Sequence, residues 1–420
     1  MRDAPRVLAM DTPLPPVLED VVDVADVADV TDVTASGRPL RVAVVTETWP
    51  PEVNGVAMSL ARIVSGLRSR DHSVQLVRPR QRADDRGAAE TDPEAVLTRG
   101  LPIPRYPGLR LGVPQRRALI RLWSARRPDI VHLATEGPLG WSALRAALHL
   151  GLPISSDFRT NFHAYSGHYG AGWLQRPIAA YLRRFHNRTA LTMVPTESLR
   201  RELAGWGYRN LAVVARGVDT ARFHPGRRSV ALRTSWGAPS PRTLVVACVG
   251  RLAPEKNLAT LLDAFDAIAR TTPRARLVLV GDGPMRAALQ ARRPDAVFAG
   301  QRGGEDLAAH YASADLFLFP SLTETFGNVT AEAMASGLPV VAFDYAAAAQ
   351  LIRDGDSGRL VRHADNAAFV ALAADLASDA PRRLRMGIRA RESVAALGWT
   401  DVVGRFETLI RQTAARGGAG

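Results

Sequence analysis

The chain has 420 residues, 46% of them hydrophobic, with a net charge of +13 and one cysteine. That length exceeds one ordinary hydrophobic core and predicts two domains, while the apolar content excludes a disordered chain. The lone Cys248 excludes a disulfide within the chain, and no run reaches the roughly 18 apolar residues of a membrane span, so a cytoplasmic protein is expected.

Residues 1–37 hold two basic and eight acidic groups, residues 38–215 hold 26 and 13, and residues 216–420 hold 26 and 20. The first stretch opens without the apolar run of a secretory signal. Its acids Asp20, Asp23, Asp26, Asp29 and Asp32 alternate with valines that disfavour a helix, so a disordered acidic extension is expected. The basic stretch 38–215 predicts an anionic partner, either a phospholipid surface or a phosphorylated acceptor. Nucleic acid is not expected, because no recognition motif is present and aromatics are only 6%.

From Arg41 the pattern alternates between short apolar runs and helical periods. Strands are predicted at 41–45, 74–77, 130–133, 152–155, 191–194 and 211–215. Helices are predicted from Gly55 to about Arg70 and over 114–127, 139–150 and 174–187. In 114–127, the cations Arg116, Arg117, Arg121, Arg126 and Arg127 alternate with Leu119, Ile120, Leu122 and Trp123. This segment reads either as a helix docking at anionic lipid or as a solvated helix packed on a sheet. Residues 216–242, with Pro225, Pro239 and Pro241, read as a connection between domains. The alternation then restarts with strands at 243–249, 276–280, 296–299, 315–319 and 339–343. Asn257 is expected to cap the helix that begins at Leu258, and a final helix is expected over about 400–414. Two Rossmann-like α/β domains in series follow, at 38–215 and 243–398, with a helix and tail at 399–420. Ligands of such sheets bind at the carboxyl ends of the strands.

The residues with chemistry fall at those strand ends. Gly250 allows a tight turn after its strand, and Arg251 and Lys256 follow it. Lys256 is the only lysine among 54 basic side chains. Two cations at a strand tip suit a diphosphate that leaves with negative charge. In the loop after Phe319, Glu324 can accept hydrogen bonds from sugar hydroxyls. Phe326, Gly327 and Asn328 offer backbone N–H groups at a helix start, and Glu332, one turn into the helix, can accept from a ribose diol. Glu324 and Glu332 form one wall, and Arg251 and Lys256 supply the opposing charge. Asp354-Gly355-Asp356 reads as a turn before a short strand and not as a metal site.

Together the stretches VGRLAPEKNL, VGDGP and FPSLTETFGNVTAEAMASGLPVV resemble the retaining glycosyltransferases of family 4. That resemblance implies a GT-B fold, two Rossmann-like α/β/α domains facing a central cleft. It implies a nucleotide-sugar donor, linked to GDP or UDP, with GDP-mannose as the first expectation. A lipid or glycan acceptor is implied, and no metal or other cofactor. The resemblance places Arg251 and Lys256 on the diphosphate, Glu324 on the sugar and Glu332 on the ribose, with the base near Gly283. It also places Asn54 and Gly55 in a glycine-rich loop facing the phosphates. RGVDTARF, at 216–223, resembles the branch of phosphatidylinositol mannosyltransferases and sulfoquinovosyl-diacylglycerol synthases. A cytoplasmic protein peripheral at the inner membrane face is expected from the basic stretch 38–215 and its Arg-rich segment 114–127.

The chain departs from the family at one point. Where a histidine usually stands near the reacting sugar, this sequence has Arg159, and His163 follows four residues later. Arginine cannot serve as a base at neutral pH. Either Arg159 therefore binds acceptor or phosphate, or the histidine is not essential; Arg159 is placed with Tyr165 on the acceptor side, and His163 can supply an imidazole instead. The rival readings are a nicotinamide oxidoreductase and a non-catalytic or epimerase-type relative. The first lacks the third glycine of its phosphate loop after Gly281 and Gly283.

Overall fold

The computed structural model describes residues 37–50, 52, 55–81, 94–103, 106–159, 175–324 and 326–417. The acidic extension before Gly37, Asn54, His163 and Tyr165 lie outside the described residues.

Two parallel sheets organise the chain from Pro39 onward. The first contains β1 (Arg41–Val45), β2 (Ser73–Pro79), β3 (Ala95–Thr98), β6 (Ile130–Leu133), β7 (Ile154–Asp157), β8 (Leu191–Val194) and β9 (Leu211–Val213), in the order β3-β2-β1-β6-β7-β8-β9. Helices cover both faces, which is why Val42–Val45 of β1 reads as a continuous apolar run. Strand order reverses between β1 and β6, which opens a crevice at their carboxyl ends.

The second sheet contains β10 (Val245–Val249), β11 (Arg276–Val280), β12 (Val297–Gly300), β13 (Leu316–Phe319), β14 (Val340–Phe343) and β15 (Gly358–Val361), in the order β12-β11-β10-β13-β14-β15. Here the reversal lies between β10 and β13. Cys248 sits inside β10, and burial pushes its thiol up to about 12.

Several elements differ from the sequence expectation. A hairpin of β4 (Gly100–Ile103) and β5 (Tyr106–Gly112) branches off the first sheet. Its Pro102 and Pro107 look like loop residues, and an isolated hairpin tolerates them because it lacks outer neighbours. The helix Arg116–Ala125 does not offer Trp123 to a membrane. Trp123 is fully buried and donates its indole N–H to Gln75 Oε1 at 3.0 Å, while Arg116, Arg117 and Arg121 face solvent. Asn257 makes no side-chain cap. It adopts φ +53°, donates to Asn366 Oδ1 at 2.9 Å and accepts from Thr260 Oγ1 at 3.1 Å.

Residues 216–242 are more than a connection. Val218, Phe223, Trp236 and Ala238 enter the core of the second domain. The buried Arg233 there donates to Ser313 O, Asp315 Oδ2 and Thr243 O. The last helix, Trp399–Gly417, crosses back to the first domain. Its Val403, Phe406, Leu409 and Ile410 pack with Val42, Leu60 and Ile63. The two crossings run side by side: Val218 N–H donates to Leu397 O at 2.9 Å, and a Cβ on Gly217 would come within 2.8 Å of the Trp399 ring.

Candidate active site

The strand reversal of the second sheet places the loops after β10 and β13 next to each other. Lys256 ends a short turn, Pro254–Lys256, in the first loop and Glu324 lies in the second. Lys256 Nζ donates to Glu324 Oε1, which also accepts from Ser321 Oγ at 2.9 Å. The ammonium also lies 5.6 Å from the centre of the Phe319 ring. Lysine and glutamate therefore form one ion pair on one wall, not two opposed walls as the sequence suggested. Arg251 is exposed on the same strand tip.

Glycines allow these loops to pack. Gly250 has φ +152° and donates its N–H to Val280 O at 2.9 Å. A Cβ on Gly283 would fall 2.4 Å from Leu252 O, so the loop after β11 lies directly on the loop after β10. Gly327, at φ +94°, turns the chain into the helix Asn328–Ala335, behind the buried Phe326. Asn328 Oδ1 is buried with no hydrogen-bond partner among the described residues.

Glu332 is separate from the Lys256 pair. Its Oε2 accepts from the Tyr311 hydroxyl at 2.9 Å, and burial raises the carboxyl to about 7 against that hydrogen bond and the Arg222 charge. Tyr311 was not singled out from sequence. Its signal was a tyrosine on an apolar helix face, since a buried phenol requires a partner.

The first domain brings Gly55, Asp157 and Arg159 to the same region. Arg159 Nε donates to Asp157 Oδ2 at 2.7 Å, and His132 Nε2 stands 3.3 Å from that oxygen. Burial alone would raise Asp157, but Arg159 and His132 outweigh it and hold the carboxyl well below its usual range. Arg159, expected on the acceptor side, thus has much of its guanidinium engaged by Asp157. Glu47, just past β1, is a second residue the sequence did not signal. It accepts the Leu139 N–H at 2.8 Å at a helix start, and burial raises it to about 7 despite its backbone hydrogen bonds. Gly137 must lack a Cβ there, because one would lie 1.9 Å from Glu47 Oε2. Arg216 joins the two domains: a Cβ on Gly55 would sit 3.0 Å from its Nη1 and 3.6 Å from Asn328 Nδ2.

Such a cleft, with cations at one strand tip and carboxylates beside a helix start, can hold a diphosphate, a sugar and a ribose together. Comparison with known proteins agrees with that chemistry. Residues 53–222 match the model of Glycosyltransferase Family 4, and residues 243–379 match that of Glycosyl transferases group 1. A GDP-mannose-dependent alpha-mannosyltransferase of Mycolicibacterium smegmatis is 36% identical over 90% of this chain and 100% of its own length. A sulfoquinovosyl transferase of Arabidopsis thaliana is 30% identical over 86% of this chain and 71% of its own. Among solved structures, Anabaena HepE in complex with UDP and glucose superposes with a TM-score of 0.69 at 18% identity, covering 89% of this chain and 99% of that one. The two-sheet architecture is therefore the GT-B fold, and the chain belongs to glycosyltransferase family 4 and is a nucleotide-sugar-dependent hexosyltransferase.

Proposed function

We propose that the chain transfers mannose from GDP-mannose to a lipid or glycan acceptor with retention of the anomeric configuration. The observation that carries this reading is the Lys256–Glu324 pair at the strand reversal, in a chain 36% identical to GDP-mannose-dependent relatives. Arg251 and Lys256 bind the diphosphate, Glu324 holds the sugar and Glu332 the ribose. The Asn54–Gly55 loop and the N–H groups of Phe326, Gly327 and Asn328 face donor oxygens. The base lies against the loops of Gly250 and Gly283. Arg159, His163 and Tyr165 belong to the acceptor side.

The acceptor oxygen bonds to the anomeric carbon as that carbon's bond to the diphosphate oxygen breaks. The bonding pair leaves on the diphosphate, and the acceptor proton passes to a departing phosphate oxygen on the same face. Arg251 and Lys256 neutralise the leaving charge, so this reading requires no metal.

Among the described residues no helix is long and apolar enough to cross a membrane. The acceptor lipid is reached instead by peripheral docking at the inner membrane face of the cytoplasm. A groove lined by Arg116, Arg145, Arg184, Arg188 and His149, with Trp141 and the exposed Leu148 among them, supports an anionic surface as partner.

The test is a panel of nucleotide sugars read by thermal shift and by transfer of labelled hexose. GDP-mannose is expected to stabilise the protein and donate its sugar. Stabilisation by UDP-hexoses alone would replace the donor, and no response to any nucleotide would overturn the reading.

A further inference from the structure

Arg216 follows β9 and leads into the crossing between the two domains. Its Nη1 lies 3.0 Å from where a Cβ on Gly55 would stand, and Asn328 Nδ2 lies 3.6 Å from the same point. With Arg159, Asp157 and Trp399 it lines a cavity of about 20 Å³, roughly the space of one water. Burial first, and then the like charge of Arg159, pull its basicity down to about 9, while Asp157 and Glu324 oppose them. It is still charged at neutral pH. Yet each of those carboxylates already bonds another cation, Arg159 at Asp157 and Lys256 at Glu324. Among the described residues Arg216 itself makes no hydrogen bond or ion pair. A half-buried cation crowded by a second cation, with no partner of its own, costs stability until an anion arrives.

We propose that Arg216 is a third phosphate-binding residue, carried on the crossing between the domains, that grips the sugar-side phosphate of the donor. This deepens the donor reading given above and rests on it. In that reading Glu324 holds the sugar, so the phosphate nearest it is the sugar-side one. Lys256 is partly neutralised by Glu324, and Arg251 reaches in from an exposed strand tip. Arg216 comes from the crossing between the domains, apart from the strand tip that carries Arg251 and Lys256. Local sequence marks Arg216 only as the first residue of RGVDTARF, in a segment that reads as a linker, and does not reveal this role.

The experiment compares full-length wild type, Arg216→Gln and Arg216→Lys. Calorimetry measures the binding of the nucleoside diphosphate and monophosphate of whichever base the wild type binds, guanine first. Unfolding midpoints of the unliganded proteins are measured in parallel. Arg216→Gln is expected to weaken diphosphate binding at least tenfold and monophosphate binding less than threefold. Its unliganded midpoint is expected at or above that of the wild type, because a crowded cation has gone. Arg216→Lys is expected to recover part of the diphosphate affinity. Equal losses for diphosphate and monophosphate, or diphosphate affinity within twofold of wild type, would overturn the proposal. So would a lower unliganded midpoint or failure of Arg216→Gln to fold, since either outcome gives Arg216 a protein partner. A wild type that binds no nucleoside diphosphate sinks the donor reading itself, which is a separate result.

Discussion

Lys256 and Glu324 stand 68 positions apart and meet through one hydrogen bond between side chains. They meet because β10 and β13 are neighbours at the strand reversal, which sets their two loops side by side. Each therefore fixes the other before any donor arrives. Lys256→Ala is expected to lower turnover about 100-fold, the effect of about 3 kcal/mol of lost transition-state stabilisation. Glu324→Ala alone is expected to lose a comparable amount. The double variant is expected to lose much less than the product of the two, because each single change leaves the other charge unpaired. Steady-state kinetics on the three variants measures this; strictly multiplicative losses would mean that the pair does not act as a unit.

Glu332 and Tyr311 give a pH prediction. The Glu332 carboxyl is raised from 4.5 to about 7 in the fold, so the native state favours its proton. Its stabilising contribution is present in full below about pH 4.5 and is lost as pH rises through 7. Glu332→Gln is therefore expected to unfold at a higher temperature than wild type at pH 8, with the gap closing at pH 5. Donor binding runs the other way, because the ionised carboxylate accepts the ribose hydroxyls. The wild-type donor KM is expected to fall between pH 6 and 8. Tyr311→Phe removes the hydroxyl that holds Glu332, and its donor KM at pH 7 is expected to rise about tenfold, the scale of one hydrogen bond to a charged group. A pH-independent donor KM would rule out this role.

The last helix is held to the first domain by Glu407. It accepts from Arg70 Nη1 at 2.9 Å and Arg411 Nε at 2.8 Å, and it meets His72 Nε2 at 3.0 Å. Burial opposes its ionisation, but those partners win and lower the carboxyl from 4.5 to about 2. The stability this gives is present above pH 4.5 and fades as pH falls toward 2. Glu407→Gln is expected to cost about 1–2 kcal/mol in urea unfolding at pH 7, the scale of charged hydrogen bonds discounted for partial solvent access. At pH 3 the difference is expected to shrink; a constant difference would point to packing instead.

The basic groove of the first domain is testable without the acceptor. Reversing Arg145, Arg184 and Arg188 to glutamate is expected to abolish sedimentation with vesicles rich in phosphatidylglycerol at 0.1 M salt. Binding of the soluble donor should not change. Unchanged vesicle binding by the triple variant would remove this face as the docking site.

Most strands of both sheets were legible because a parallel strand buried on two faces leaves an unbroken apolar run, as in Val245–Val249; the edge strand β3 was not. The loops at their tips were legible as well, since Gly250 and Gly327 mark turns where the backbone leaves ordinary geometry. The hairpin of β4 and β5 was not, because its prolines imitate a loop. The place of Trp123 was left open between lipid and sheet, because periodicity gives the faces of a helix but not which one meets a sheet. The contact between Lys256 and Glu324 depends on strand order, and so does the position of Arg216. Neither is written in local sequence. Tyr311 and Glu47 were missed because a single polar residue near an apolar segment shows its partner only after packing.

The adjacent crossings at Val218–Leu397 and Gly217–Trp399 make the donor half an insertion within the acceptor half. Anyone exchanging acceptor halves between relatives must therefore move two separate stretches of chain, and the second is the 19-residue helix Trp399–Gly417. A chimera cut only once, between the sheets, would pair a foreign helix with Val42, Leu60 and Ile63. Such a chimera would lose its acceptor half to misfolding while its donor half stayed intact.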